Sequence, residues 1–257
     1  MAGEHFQIHD GSASLVGTQL DNSQTVSITT PNMISGIFKA ALAAAMIGTS
    51  VAVDTWGGSV SLGPTTSTII KAVTTIIPGD APPTQNGVLA LWPGMSNGTG
   101  DLVQTTLESW PDNSWCGAKK GQWCVRASLF GSFGQLSGDA SAVSGNQKVK
   151  ILYELLSDNN TWRQTVTDAD TGAKLSSYEY KSGPFMRGYG TGTECNANCS
   201  PTVAKQQYIN TEITLAGADP NFGKTIATAQ KATYTGLASS QGGKVWTIKE
   251  INVPAMV

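Results

Sequence analysis

Residues 100–110 read GDLVQTTLESW, and residues 208–216 read YINTEITLA. Both alternate with a period of two, the pattern of a half-buried β-strand. In the first stretch Leu102, Gln104, Thr106 and Glu108 share one face. In the second, Tyr208, Asn210, Glu212 and Thr214 form a polar face, while Ile209, Thr211, Ile213 and Leu215 point the other way. If the two polar faces line one concave sheet, Gln104 and Glu212 meet across it.

The same texture runs outward in both directions from residue 54. Residues 68–77 (TIIKAVTTII) are β-branched, and residues 88–92 form a short apolar strand. Residues 148–156 (KVKILYELL) set Val149, Ile151, Tyr153 and Leu155 on one face. Residues 161–167 and 173–180 flank an Asp-Ala-Asp-Thr-Gly turn and read as a hairpin, while residues 231–234 and 244–253 alternate again. Residues 182–202, rich in Gly, Pro, Cys and Asn, read as a long loop. Short strands separated by turns predict an all-β sandwich or jelly roll in one domain over residues 54–257.

Composition narrows the chemistry. Only 13% of the 257 residues are charged and the formal net charge is −2, so nothing recruits nucleic acid or an anionic membrane. The only histidines are His5 and His9. Catalysis by Ser–His–Asp or Cys–His and zinc held by histidine are therefore excluded from the body of the chain. No metal or cofactor is expected, and the chemistry falls to carboxylates, amides, hydroxyls, Tyr, Lys or Arg.

The four cysteines, Cys116, Cys124, Cys195 and Cys199, sit in Gly- and Asn-rich segments without a CxxC pair. Local bridges 116–124 and 195–199 are the simplest of three connectivities. Residues 1–32 are a polar extension; residues 33–53 begin MISGIFKAALAAAMIGTSVA, an initiator-like Met, one Lys, an apolar run and a small-x-small ending. This reads as a secretory signal peptide over residues 33–52, with an internal apolar helix or anchor as the competing reading. Asn97, Asn159 and Asn198 each open an N-glycosylation triplet. Together these point to a secreted, disulfide-bonded glycoprotein, monomeric and without a stable membrane span once mature.

Several motifs in this order resemble the eqolisins, the fungal glutamic peptidases built on a lectin-like, concanavalin A-like β-sandwich. They are Trp56-Gly-Gly before a strand, the run over residues 67–78, Leu89-Ala-Leu-Trp-Pro-Gly-Met, Leu102-Val-Gln-Thr and Asn210-Thr-Glu-Ile-Thr-Leu. The resemblance covers residues 55–253 and implies a peptide substrate and a catalytic pair, Gln104 and Glu212. Glu212 would act as general base on water and then as acid toward the leaving amine. The Gln104 amide would donate to the developing oxyanion. A carboxyl doing this work implies an acid optimum. The chain departs from the pattern at Ser128 and Leu129, where bulky aromatics are expected, and in its neutral balance of 15 Lys and Arg against 15 Asp and Glu from residue 53 on.

Candidate substrate-binding residues are Trp92, Glu108, Trp110, Arg126, Arg187, Tyr189, Tyr208 and Asn210. The tryptophans could stack on sugars or enclose a small apolar molecule, or simply pack the core. Arg126 and Arg187 could hold a carboxylate, and Tyr189, between glycines, could overhang a cleft. Glu108 paired with Glu212 would suggest glycoside hydrolysis, but no strand carries the cluster of acids that reading needs. Two other uses of the scaffold stand beside the peptidase: a glycan-binding protein, and a small-molecule cyclase or isomerase.

Overall fold

The computed structural model describes the backbone of residues 5–9 and 12–16, and residues 54–256 apart from 99, 198 and 200–202. Strands β1 (His5–His9) and β2 (Ser12–Val16) form a separate antiparallel hairpin. The apolar segment 33–53 and Asn198 lie outside the described residues. Among those described, no helix is long and apolar enough to cross a membrane.

The remaining strands are β3 (Thr55–Trp56), β4 (Ser59–Leu62), β5 (Ile69–Ile77), β6 (Val88–Ser96), β7 (Leu102–Ser109) and β8 (Trp123–Gly131). They continue with β9 (Gly134–Val143), β10 (Val149–Leu155), β11 (Thr161–Asp168), β12 (Lys174–Lys181), β13 (Gly188–Asn196) and β14 (Gln206–Leu215). Short strands β15 (Ala227–Ala229), β16 (Thr233–Thr235) and β17 (Ala238–Ser240) precede β18 (Val245–Val253).

The strands form two eight-stranded antiparallel sheets, which make the all-β sandwich. The first runs β12-β11-β10-β5-β14-β18-β16, with β17 also on β18. The second runs β15-β4-β13-β6-β7-β8-β9, with β3 also on β13. The expected hairpin is β11–β12. The segment expected to be a loop over residues 182–202 instead supplies β13, an interior strand of the second sheet. Its Gly-Tyr-Gly-Thr-Gly-Thr run alternates tiny and larger residues: a strand pattern with glycine on one face.

Between the sheets lies the core. Trp123, Tyr153, Trp162 and Tyr208 are buried there with Ile76, Leu91, Leu107, Val125, Ile151 and Ile251. Each large apolar side chain contributes about 1.5–3 kcal/mol by leaving water. The polar tips find partners: Trp123 Nε1 donates to Gly79 O at 2.8 Å, and Trp162 Nε1 to Gly183 O at 2.8 Å. Tyr153 Oη donates to Pro93 O at 2.7 Å, tying the first sheet to the strand at the middle of the second.

One irregularity in β14 governs the site. Asn210 has φ +54°, and the pairing with β5 shifts between Ile209 and Glu212. On β18 the burial alternation breaks at exposed Lys249, opposite Asn210. Both strands therefore change parity together. Tyr208 is buried on the core side, and so are Thr211, Ile213 and Leu215, three, five and seven residues on. Strict alternation across residues 208–216 fails at this bulge.

Candidate active site

On the second sheet Val103, Thr105 and Leu107 of β7 face the core. Gln104, Thr106 and Glu108 consequently share the outer face, as the alternation predicts. This face is unusually closed for the outside of a sandwich, with Gln104 6%, Thr106 3% and Glu108 2% exposed. Neighbouring side chains account for it.

Glu108 is the hub. Arg126 of β8 grips it with both ends, Nε to Oε1 at 2.9 Å and Nη2 to Oε2 at 2.8 Å. Thr106 Oγ1 donates to Oε1 at 2.6 Å, Trp110 Nε1 to Oε2 at 2.7 Å, and Gln135 Nε2 to Oε1 at 3.4 Å. Such a bidentate pair is among the stronger hydrogen-bond geometries. Arg126 in turn lies 5.2 Å from the centre of the Trp115 ring and donates to Ser137 Oγ. With both oxygens engaged, Glu108 organises the face rather than offering a free base.

Across the sheet the register brings a second carboxyl to the same level. Ala90 of β6 pairs with Glu108 on one side and with Glu194 of β13 on the other. Glu194 is half-buried on the outer face, and Trp92 Nε1 donates to its Oε2 at 3.3 Å. Burial holds the Glu194 carboxyl above the ordinary glutamate value; the Asn196 and Trp92 side chains pull it down, while the charges of Asp54 and Glu108 add to the rise. Asn196 follows on the same face, its buried Oδ1 without a hydrogen-bond partner among the described residues.

Beyond Glu194 the outer face of β13 carries only Gly192, Gly190 and Gly188. A Cβ on Gly192 would lie 2.4 Å from the Trp92 ring, so the indole rests directly on that backbone. Over Gly190 and Gly188 the nearest atoms to such a Cβ are at 3.5 Å, belonging to Ser61 and Leu62 of β4. A strip of bare backbone thus runs from Trp92 toward Gly188. Gln104 stands at its margin, level with Gly94 and Gly190.

Glu212 is not at this face. It pairs with Val73 and Thr247 in the first sheet and is half-buried on that sheet's outer side, because the Asn210 bulge turns Thr211 and Ile213 into the core. Gln104 and Glu212 therefore lie on opposite outer faces of the sandwich and do not meet. Tyr208 is a fully buried core residue, its hydroxyl donating to Gln206 Oε1 at 3.1 Å. Asn210 is exposed at the bulge of the first sheet. Tyr189 does not overhang a cleft; it points inward, 2% exposed, with burial pushing its phenol up to about 12. Exposed Arg187 spends Nε and Nη2 on Thr65 O, at 2.8 and 2.6 Å, which staples a loop rather than a ligand.

Of the expected binding residues, the fold gathers Trp92, Glu108, Trp110 and Arg126 around Gln104's face, and adds Glu194 and Asn196. The signal for those two was the alternation of glycine through residues 188–192, which places Glu194 in step with the bare positions. The two disulfides are Cys116–Cys124 and Cys195–Cys199. The first anchors the Trp110–Trp115 turn to β8, and the second closes the end of β13.

No family model and no curated protein sequence matches this chain. Solved structures do. Scytalido-glutamic peptidase with a peptide-based transition-state analogue is 14% identical, with 77% of this chain and 99% of that one covered and a TM-score of 0.47. SCP-B, a member of the eqolisin family of peptidases in complex with the tripeptide Ala-Ile-His, is 13% identical over 79% of this chain and 99% of its own, also at 0.47. Peanut lectin with a nine-residue peptide is 9% identical over 80% and 84%, at 0.29. At such identities the likeness is one of build, and chemistry has to be read from this chain's own side chains.

Proposed function

We propose that the protein is an acid-acting, peptidase-like hydrolase in which Glu194, with Asn196 beside it, handles the proton transfers. The observation that supports this is the placement of a half-buried carboxyl and a carboxamide on one face of β13, at the end of the glycine strip. That is the carboxyl–carboxamide chemistry expected of Glu212 and Gln104, carried by other residues.

Glu194 as carboxylate takes a proton from water, and the water oxygen adds to the scissile carbonyl carbon. The Glu194 carboxyl then passes the proton to the leaving nitrogen as the C–N bond breaks. The Asn196 amide, which carries two N–H groups, is the donor at hand for the carbonyl oxygen, while Trp92 Nε1 stays on Glu194. Glu108, already saturated, holds Arg126 and Trp110 in place and keeps a negative charge opposite Glu194. Two disulfides suit an oxidising compartment, which supports the secretory reading of residues 33–52.

The test is cleavage of a denatured protein in mild acid by the full chain, beside Glu194→Gln and Glu212→Gln. Loss of cleavage in the first variant only is expected. Cleavage that survives Glu194→Gln, or a folded wild type that cleaves nothing, would overturn the assignment. A second reading, glycan binding on the same face, is favoured by Trp110 and Trp115, 37% and 47% exposed beside Arg126. Saturable oligosaccharide binding without turnover would single it out.

A further inference from the structure

We propose that Asp54 is a positioning residue for the reaction: a second carboxylate, fixed beside Glu194 by the Cys195–Cys199 ring, through which that ring sets the pH range of turnover. This rests on the reading of Glu194 as the hydrolytic residue.

Strand β3 pairs with β13 so that Trp56 stands opposite Glu194 and Thr55 opposite Cys195. Residues directly opposite share a face, so Trp56 points outward with Glu194. Continued by one residue, this register sets Asp54 opposite Asn196, on the same outer face and diagonal to Glu194. Diagonal neighbours lie about 7–8 Å apart, within reach of a glutamate side chain. Half-buried Asp54 is pinned there, because Ala197 N donates to its Oδ1 at 3.3 Å. Ala197 lies inside the ring closed by Cys195–Cys199, at φ +54°, a conformation an alanine keeps only where its surroundings hold it. Gly87 packs on the same backbone: a Cβ there would come 2.1 Å from Asn196 O and 2.6 Å from Ala197 O.

No cation answers the two carboxyls. Among the described residues neither Asp54 nor Glu194 forms an ion pair with Lys or Arg. From β6 the neighbours of Glu194 are Ala90 and Trp92, both uncharged. From β7 the facing group is Glu108, whose charge is shared with Arg126 of β8. Burial is the main reason Glu194 keeps its proton above the ordinary glutamate range, and the Asp54 charge adds to it, ahead of that of Glu108. A like charge nearby makes a carboxylate a stronger base and moves its titration up. Asp54 therefore acts through Glu194, and the ring that holds Ala197 N decides whether it stays in place to do so.

The test is a ¹³C-detected titration of Glu194 beside kcat against pH, on the full chain and on Asp54→Asn and Asp54→Glu. Asparagine keeps an oxygen for Ala197 N and removes only the charge. In Asp54→Asn, Glu194 is expected to release its proton at lower pH, with the acid limb of kcat moving down alongside it and thermal unfolding unchanged. Asp54→Glu is expected to titrate with the wild type. Opening the ring with Cys195→Ala and Cys199→Ala is expected to shift Glu194 in the same direction as Asp54→Asn, and adding Asp54→Asn to that chain to shift it no further. An unmoved Glu194 titration in folded Asp54→Asn, equal shifts in Asp54→Asn and Asp54→Glu, or a full further shift on adding Asp54→Asn to the opened ring would each overturn the proposal. The Glu194 assignment is judged separately. A titration that moves with the charge while the acid limb stays put would unseat Glu194 as the base and leave its coupling to Asp54 standing.

Discussion

Glu108 and Glu194 stand at one level of the second sheet, both opposite Ala90, and the Glu108 charge adds to the burial that holds the Glu194 carboxyl high. Removing that charge should lower the Glu194 titration. In Glu108→Gln, ¹³C-detected titration is expected to show Glu194 releasing its proton at lower pH than in the wild type. The same change strips Arg126 of its bidentate partner and should cost on the order of 3 kcal/mol in chemical denaturation.

Trp92 acts in the opposite sense. Its indole N–H stabilises the Glu194 anion. Trp92→Phe removes the donor while keeping a ring over Gly192, so Glu194 is expected to titrate higher. If Glu194 is the base of the reaction, the acid limb of kcat against pH moves up with it; a titration that shifts without the activity profile would separate the two.

The strongest contrast is between the two glutamates. Glu212→Gln, on the outer face of the first sheet, is expected to change stability by less than about 0.5 kcal/mol and activity hardly at all. Glu194→Gln should abolish turnover with a comparably small effect on folding. Parallel denaturation curves and rate measurements on the two variants check this directly.

Acid tolerance is expected to depend on Asp219. Its buried Oδ2 accepts from Thr65 Oγ1 at 2.9 Å and Thr66 N at 2.7 Å, and Oδ1 from Asn221 N at 3.0 Å. Burial pushes this carboxyl up, but those hydrogen bonds outweigh it and bring it down to about 2. A depressed pKa stabilises the fold above the unfolded-state value and is lost as pH falls through the folded one. The contribution should therefore be full above about pH 4 and fade toward pH 2. Asp219→Asn is expected to cost roughly 1.5–3 kcal/mol at neutral pH, and the difference from wild type should shrink across that window in melting experiments.

At the bulge, Asn210→Gly is expected to be near neutral, because glycine accepts the positive φ without cost. Asn210→Val should lose about 1–3 kcal/mol to backbone strain. Equal stability of the two variants would mean the bulge relaxes away.

How much of this the sequence carried depends on what each segment's alternation encodes. Residues 102–108 have a buried apolar set and an outer polar set, so their faces follow from spacing alone. The second sheet's β13 was hidden by composition: three glycines leave no hydrophobic contrast on the outer face, and the segment resembles a loop until its partners β6 and β4 are known. Residues 208–216 mislead for another reason. Their alternation is real on each side of Asn210, but one inserted residue reverses its sense, and nothing in the local sequence marks the reversal except an Asn able to take φ +54°. The meeting of Gln104 with Glu212 failed there, while the alignment of Glu194 with Glu108 across Ala90 is a matter of sheet order, which local spacing does not contain.

The strip from Gly188 to Gly192 has a consequence for what the surface can tell apart. Its backbone is already laddered to β6, and at Tyr189 and Gly190 also to β4, and it bears no side chains on this face. With the Trp92 indole lying on Gly192, the open ground is that of Gly190 and Gly188, and whatever rests there meets backbone alone. Such a surface offers no side chain by which to tell one residue from another, so sequence tolerance would be built into the sheet itself.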